Sequence, residues 1–137
     1  VTRLVPDGQL IVVFDGDCGF CTLTAAWLRR LDRGGRVALV ACQDPAVYAL
    51  TSLTRSDCAA AVWAVEPTGQ RRCGAGAINA ALTYALGWPI FLRLYAVRSV
   101  SWIQDRAYAG VVRARGWLPG VTPYCQQHPE RCRPAGD

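Results

Sequence analysis

The sequence contains no lysine and no methionine, and its 137 residues include a single histidine. Every basic side chain is therefore arginine, and the formal charge is +5. The arginines (Arg29, Arg30, Arg33, Arg71, Arg72, Arg93, Arg98, Arg113, Arg115 among them) are scattered and not interleaved with aromatics in one tract. That leaves no focused electropositive footprint, and nucleic-acid binding is not expected. A run of about 20 apolar residues is missing too, since "YALGWPIFLRLYAV" is broken by Pro89 and Arg93, so no transmembrane segment is expected. The opening "VTRLVPDGQL" has no charged-then-apolar leader.

What is present is apolar and cysteine-rich: 52% hydrophobic residues, 18% charged, five Trp and seven Cys. Such a chain is globular and large enough for a core without stapling. With no leader, the expectation is a soluble cytoplasmic protein whose thiols are mostly reduced. In that setting a close Cys pair points to catalysis or metal binding rather than to a structural framework.

The order of elements reads strand, helix, strand, helix, hairpin, then helices. "QLIVVF" is a nearly continuous apolar run, as a buried parallel strand is. In the following segment Phe20, Leu23, Trp27, Leu28 and Leu31 share one helical face, and Gly34-Gly35 stops it. "RVALVAC" completes a βαβ unit. Pro45 to Ser52 reads as a short helix, "TRSDC" as a loop, and "AAAVWAV", "EPTG" and "QRRC" as a hairpin. "AGAINAALTYALG" is helical up to Gly87. Another helix starts near Pro89, and a further one follows Ser101, which has Gln104 at capping-box spacing. Residues 1–120 form one domain in this reading, and 121–137 an irregular tail rich in Cys and Pro.

The chemistry concentrates in "VVFDGDCGFC", Val12 to Cys21. A strand ending in Asp-x-Asp could present Asp15 as a nucleophile and Asp17 as an acid or base, with Mg²⁺ offsetting phosphate charge. This resembles the first motif of haloacid-dehalogenase-type phosphatases. That chemistry also needs a cation at the phosphoryl oxygens and a downstream acidic pair, and the chain has no Lys and no adjacent acidic pair. The dithiol reading needs fewer missing parts. Cys18 and Cys21 are close enough at a helix start to form a disulfide. The first-turn N–H groups and the helix dipole favour a thiolate on Cys18, leaving Cys21 as the resolving thiol. Gly19 and Phe20 between them help set the potential. Asp17 is placed to cap the helix, and Asp15 to relay the proton of Cys21.

"FDGDCGFC", followed by an amphipathic helix and the strand "VALVAC", resembles the DCC family (DUF393) of predicted thiol-disulfide oxidoreductases. That family is named for an Asp-x-x-Cys-x-x-Cys motif, here Asp15, Cys18 and Cys21. "TGQRRCGAGAINAAL" and "RAYAGVVRARGWLPG" extend the likeness over roughly Leu10 to Gly120. The resemblance implies a thioredoxin-like α/β fold: a mixed sheet of about four strands flanked by helices, with extra C-terminal helices. It also implies dithiol chemistry with a redox-active Cys18–Cys21 disulfide, no other cofactor, a disulfide or dithiol substrate and a partner reductant. Thioredoxins carry a cis-Pro before the third core strand, whereas "TRSDCAAAV" has none, which removes an element that aligns a peptide substrate.

The remaining cysteines have quieter readings. Cys42 and Cys58 fit as free, buried, small hydrophobes. Cys73, at the hairpin end, could serve as a third thiol near the site. Cys125, His128 and Cys132 have spacing compatible with zinc, against a disulfide between Cys125 and Cys132 or free thiols. The five Trp residues read as core and groove walls. A thiolate metal-binding module built on Cys18 and Cys21 is the alternative to the oxidoreductase.

Overall fold

The structure, a computed structural model, describes residues 8–132. Residues 1–7, read above for a leader, and the last five residues of the tail lie outside that part. Strand β1 (Leu10–Phe14) is central, pairing in parallel with β2 (Val37–Ala41) and antiparallel with β3 (Trp63–Val65). β4 (Arg71–Cys73) completes the hairpin with β3, and the sheet order is β2-β1-β3-β4. β1 is apolar throughout because both of its faces are covered. On one face Leu10 and Val12 pack against Ala77, Ala80 and Ala81 of helix α4 (Ala75–Leu86), while Phe14 packs on Ala25 of α1 (Gly19–Leu31). On the other, Val13 packs with Cys42, Val47, Leu53 and Cys58. The alanine stripe brings α4 close to the sheet. Gly87, left-handed at φ 75°, ends it, as the sequence suggested.

This is the expected α/β architecture, a four-stranded mixed sheet flanked by helices and consistent with a thioredoxin-like fold. α2 (Ala46–Thr51) and the hairpin lie where the sequence puts them. Three local readings are corrected. "TRSDC" is not a loop: Arg55–Ala60 form helix α3, started by a capping box. Thr54 Oγ1 accepts the Asp57 N–H at 3.1 Å, and the Asp57 carboxylate accepts the Thr54 N–H at 3.0 Å. The expected box at Ser101 does not form, because α6 (Arg98–Ala114) starts a turn earlier. Ser101 Oγ donates back to Arg98 O, and the Gln104 side chain accepts instead from Asn79 of α4. The tail is more ordered than expected, with a helical turn α7 (Tyr124–Gln127) and a 3-10 turn (Pro129–Arg131).

The cysteines differ most from expectation. Cys42 and Cys58 are buried, but they form a disulfide, with Cα atoms 5.8 Å apart. Helix α3 causes this by carrying Cys58 back over the end of β2. Cys125 and Cys132 form a second disulfide, so four of the seven cysteines are paired rather than reduced. The Trp reading also needs correction. Trp27 lines a groove as expected, but Trp88, Trp102 and Trp117 are exposed rather than core. α5 (Ile90–Tyr95) and α6 contribute no buried residue. Among the described residues, no helix is long and apolar enough to cross a membrane.

Candidate active site

The parallel pairing of β1 and β2 ends together at Phe14 and Ala41, so the residues that follow each strand meet at one edge. From β1 the chain runs Asp15, Gly16, Asp17, Cys18 into α1; from β2 it runs Cys42, Gln43. Cys18 itself occupies the helix N-cap, a position expected for Asp17. Its backbone is extended there, and its Sγ accepts the Cys21 N–H at 3.2 Å. A cap of this kind satisfies one of the orphan first-turn donors. Asp17 is exposed, and its carboxylate accepts from Gln43 Nε2 at 3.2 Å.

Cys18 and Cys21 are both free and half-buried. Burial pushes the Cys21 thiol up from 9.0 to about 12, helped by its hydrogen bond to the Cys18 sulfur and by the charges of Cys18 and Asp15. Arg115 pulls in the opposite direction. The two thiols are therefore unlike: Cys18 receives a backbone donor at the helix start, whereas Cys21 holds its proton.

Asp15 is clamped. Its Oδ1 accepts from the Asp17 N–H at 3.0 Å and from Gln43 Nε2 at 2.9 Å, and its Oδ2 faces Arg115 Nη1 at 3.6 Å. Gln43 works in both directions, because its Oε1 accepts the Gly16 N–H at 2.9 Å. Sequence reasoning missed Gln43 and Arg115. For Gln43 a signal existed: the residue after one parallel strand lies beside the loop that follows its neighbour, where ligands of α/β sheets sit. For Arg115, about 100 residues away at the C-cap of α6, no local pattern could serve.

The tail returns to this loop. Cys125 N–H donates to Gly16 O at 2.9 Å, Val121 N–H to Gly19 O at 3.2 Å, and Tyr124 N–H to Thr22 Oγ1 at 3.0 Å. Tyr124 also meets Phe14 edge to face. The spacing read for zinc holds a disulfide, so the sulfurs of Cys125 and Cys132 are bonded to each other. His128 packs on Tyr124 and faces Glu130 at 3.5 Å. Among the described residues, no cluster of three or more His, Cys, Asp or Glu is placed to hold a metal ion. Cys73 is exposed and lines neither cavity beside the thiol pair.

Two cavities flank that pair. An open polar basin of about 660 Å³ touches Cys18, Asp17 and Arg113. A second cavity, of about 520 Å³, lies between α1, α4 and α6 and touches Cys21. Phe20, Val112, Asp15 and Arg115 line both, so the two spaces adjoin at the thiols.

A family model for DCC1-like thiol-disulfide oxidoreductases matches residues 12–121, which takes in all of the sheet but the first two residues of β1, the thiol pair and α6. No curated protein and no solved structure matches the chain. The match extends over most of the sequence and includes the whole Asp15–Cys21 loop: the chain belongs to the DCC1-like thiol-disulfide oxidoreductase family.

Proposed function

We propose that this redox role is carried by Cys18 and Cys21 as a dithiol-disulfide pair. The observation behind it is the asymmetry of the two sulfurs, one accepting a backbone N–H at a helix start, the other holding its proton to about pH 12. The Cys18 thiolate attacks a substrate disulfide, giving a mixed disulfide and expelling one substrate thiolate. Cys21 then loses its proton and attacks the Cys18 sulfur. This forms the Cys18–Cys21 disulfide and releases the second substrate sulfur. In the reverse direction a substrate thiol attacks the oxidised pair. Asp15 is the proposed acceptor of the Cys21 proton, since it lies on the same cavity wall and its charge acts on that thiol. Asp17 and Gln43 hold the loop, and Gly19 and Phe20 shape the space between the thiols. A partner dithiol or disulfide resets the pair.

The test is equilibration of metal-free protein across a series of dithiol redox buffers, with free thiols alkylated and located by peptide mass spectrometry. A reversible two-electron transition confined to Cys18 and Cys21, lost in Cys18→Ser, is expected. Absence of that disulfide at every poise, with zinc bound to the purified protein, would favour a thiolate metal module instead. The same alkylation applied to freshly quenched cells addresses the compartment. Cys42–Cys58 and Cys125–Cys132 recovered as disulfides fit an oxidising compartment, and four free thiols fit the cytoplasm expected from the sequence.

A further inference from the structure

The cavity beside Cys21 needs an explanation, because the fold does not fill it. Trp27 and Leu31 of α1, Ile78 of α4 and Val111 of α6 border it, and each is at least 39% exposed. Trp27 and Leu31 are on the face that the helical periodicity of α1 marks for a core. They stand open: α6 lines the same cavity but has no buried residue of its own. The floor is apolar as well, with Val12, Leu39 and Ala77 from the sheet and α4. Charge enters only at the thiol end, where Asp15 and Arg115 face each other at 3.6 Å. A volume of about 520 Å³ lies within the range of small-molecule sites, and few polar groups in an apolar wall are their usual make-up.

The position of the cavity gives it a use. It meets the polar basin of Cys18 across Phe20 and Val112, so a molecule lying over those two side chains reaches Cys18 with one end and fills the cavity with the other. The segment Ala60–Val62 that precedes β3 also borders the cavity and contains no proline of the sort that aligns a peptide strand. The walls therefore suit a compact apolar body rather than an extended chain.

We propose that the substrate of the Cys18–Cys21 pair is a low-molecular-weight disulfide with an uncharged, apolar body that occupies this cavity. The proposal rests on the dithiol reading above and deepens it. Cys18 attacks the substrate disulfide at the Phe20–Val112 edge while the apolar body lies along α1 and α4. One substrate sulfur becomes bonded to Cys18, and the other leaves as a thiolate and is protonated. Attack of Cys21 on Cys18 releases the second sulfur, which takes up the proton given up by Cys21. The protein dithiol is oxidised and the substrate disulfide reduced, two electrons each way.

The experiment uses reduced full-length protein in single turnover, with lipoamide as the apolar probe and hydroxyethyl disulfide as the small polar one. Each rate constant is divided by that of free dithiothreitol with the same compound, which removes the intrinsic reactivity of the strained lipoamide ring. Burial of one methylene changes binding by roughly fourfold. The normalised preference for lipoamide should therefore be about tenfold or more. Leu82→Gln, which makes the wall polar, and Ala107→Trp, which fills the cavity from an exposed position on α6, should each bring that preference towards one. Trp102→Ser, on α6 but outside the cavity, should leave the preference intact. A wild-type preference near one, or one that survives both cavity variants, overturns the proposal while leaving the dithiol reading standing. If neither compound oxidises Cys18 and Cys21 although the redox-buffer series forms their disulfide, the pair does not take such disulfides and this proposal alone is overturned. If the series forms none either, the dithiol reading fails and takes this proposal with it.

Discussion

Gly19 and Gly120 meet backbone to backbone. A Cβ on Gly120 would lie 2.5 Å from the Gly19 carbonyl carbon and 2.6 Å from Phe20 N, and one on Gly19 would lie 2.6 Å from Val121 O. Gly19, the first of the two residues between the thiols, is thus the landing point of the tail, which the Val121–Gly19 hydrogen bond then fixes. Replacing Gly120 by Ala forces backbone apart and should cost about 1–3 kcal/mol in denaturant unfolding. Gly110→Ala is the counterpart, since that glycine is inside α6 with nothing within 4 Å of its missing Cβ. It should stabilise the protein by about 0.5–1 kcal/mol. Equal effects at the two positions would mean that the tail does not rest on the thiol loop.

Asp15→Asn separates two roles for the carboxylate. Its charge contributes to holding the Cys21 thiol near 12, so the neutral side chain should lower that value and make the thiolate easier to form at high pH. If Asp15 also takes the proton, its loss should slow resolution at neutral pH by about 100-fold, a typical share for a positioned base. Stopped-flow measurement of mixed-disulfide decay against pH should then show the variant slower at neutral pH and catching up in alkali. A variant that resolves faster at every pH would leave Asp15 a purely electrostatic role. Initial attack by Cys18, followed separately, should change little in either case.

Gln43 is the positioning residue for that carboxylate, bonded at once to Asp15 and to the Gly16 N–H. Gln43→Leu removes these bonds and the one to the Asp17 carboxylate, and leaves a partly buried Gly16 N–H without its partner, at a cost of about 1–3 kcal/mol. The pH profile of resolution should shift in the direction seen for Asp15→Asn, since the carboxylate is no longer held on the cavity wall. Loss of stability with an unchanged profile would reduce Gln43 to a structural brace.

Much of this arrangement was legible because it is local. β1 reads as buried on both faces, Gly87 as a helix end, and Cys18 and Cys21 as neighbours one turn apart. The parts that could not be read depend on distant segments meeting. Cys58 reaches Cys42 only because Thr54 and Asp57 start a helix in a stretch whose polar residues look like a loop. Tyr124 reaches Thr22 across about 100 residues with no periodicity to announce it. Asp17 looked like a cap because the residue type suits the position. The sulfur of Cys18 takes that place since α1 begins at Gly19, one residue later than an Asp17 cap requires. The exposed Trp residues show the limit of hydrophobicity as a guide, as aromatic composition alone does not say whether a ring closes a core or borders a cavity.

The raised Cys21 value also makes stability depend on pH. In the fold the thiol keeps its proton to about 12, against 9.0 for an unperturbed cysteine, so the folded chain binds that proton more tightly than the unfolded one. The contribution is complete below pH 9 and is lost as the pH rises towards 12. For a half-exposed thiol, screening by water reduces it to about 1 kcal/mol, a few degrees of Tm. Reduced wild-type protein should lose more Tm between these limits than Cys21→Ala, and the oxidised protein should match the variant. Parallel curves for all three would place no special cost on ionising Cys21.

The two disulfides should differ in how readily they open. Cys42 and Cys58 are no more than 5% exposed and are packed among Val13, Val47 and Leu53, so a reductant reaches them only when that side of the sheet opens. Cys125 and Cys132 lie on the half-buried tail, where thiolate attack needs no unfolding of the core. Under native conditions a mild dithiol should therefore open Cys125–Cys132 within the time in which Cys42–Cys58 stays intact, as read by timed alkylation and peptide mass spectrometry. Replacing Cys42 and Cys58 together by Ala should cost about 3 kcal/mol, the chain-entropy value for a loop of this length. If the buried pair instead opened first, or its removal cost nothing, the sheet would be looser on the α2–α3 side than its packing indicates. Gln43, the next residue after Cys42, would then lose the support from which it holds Asp15.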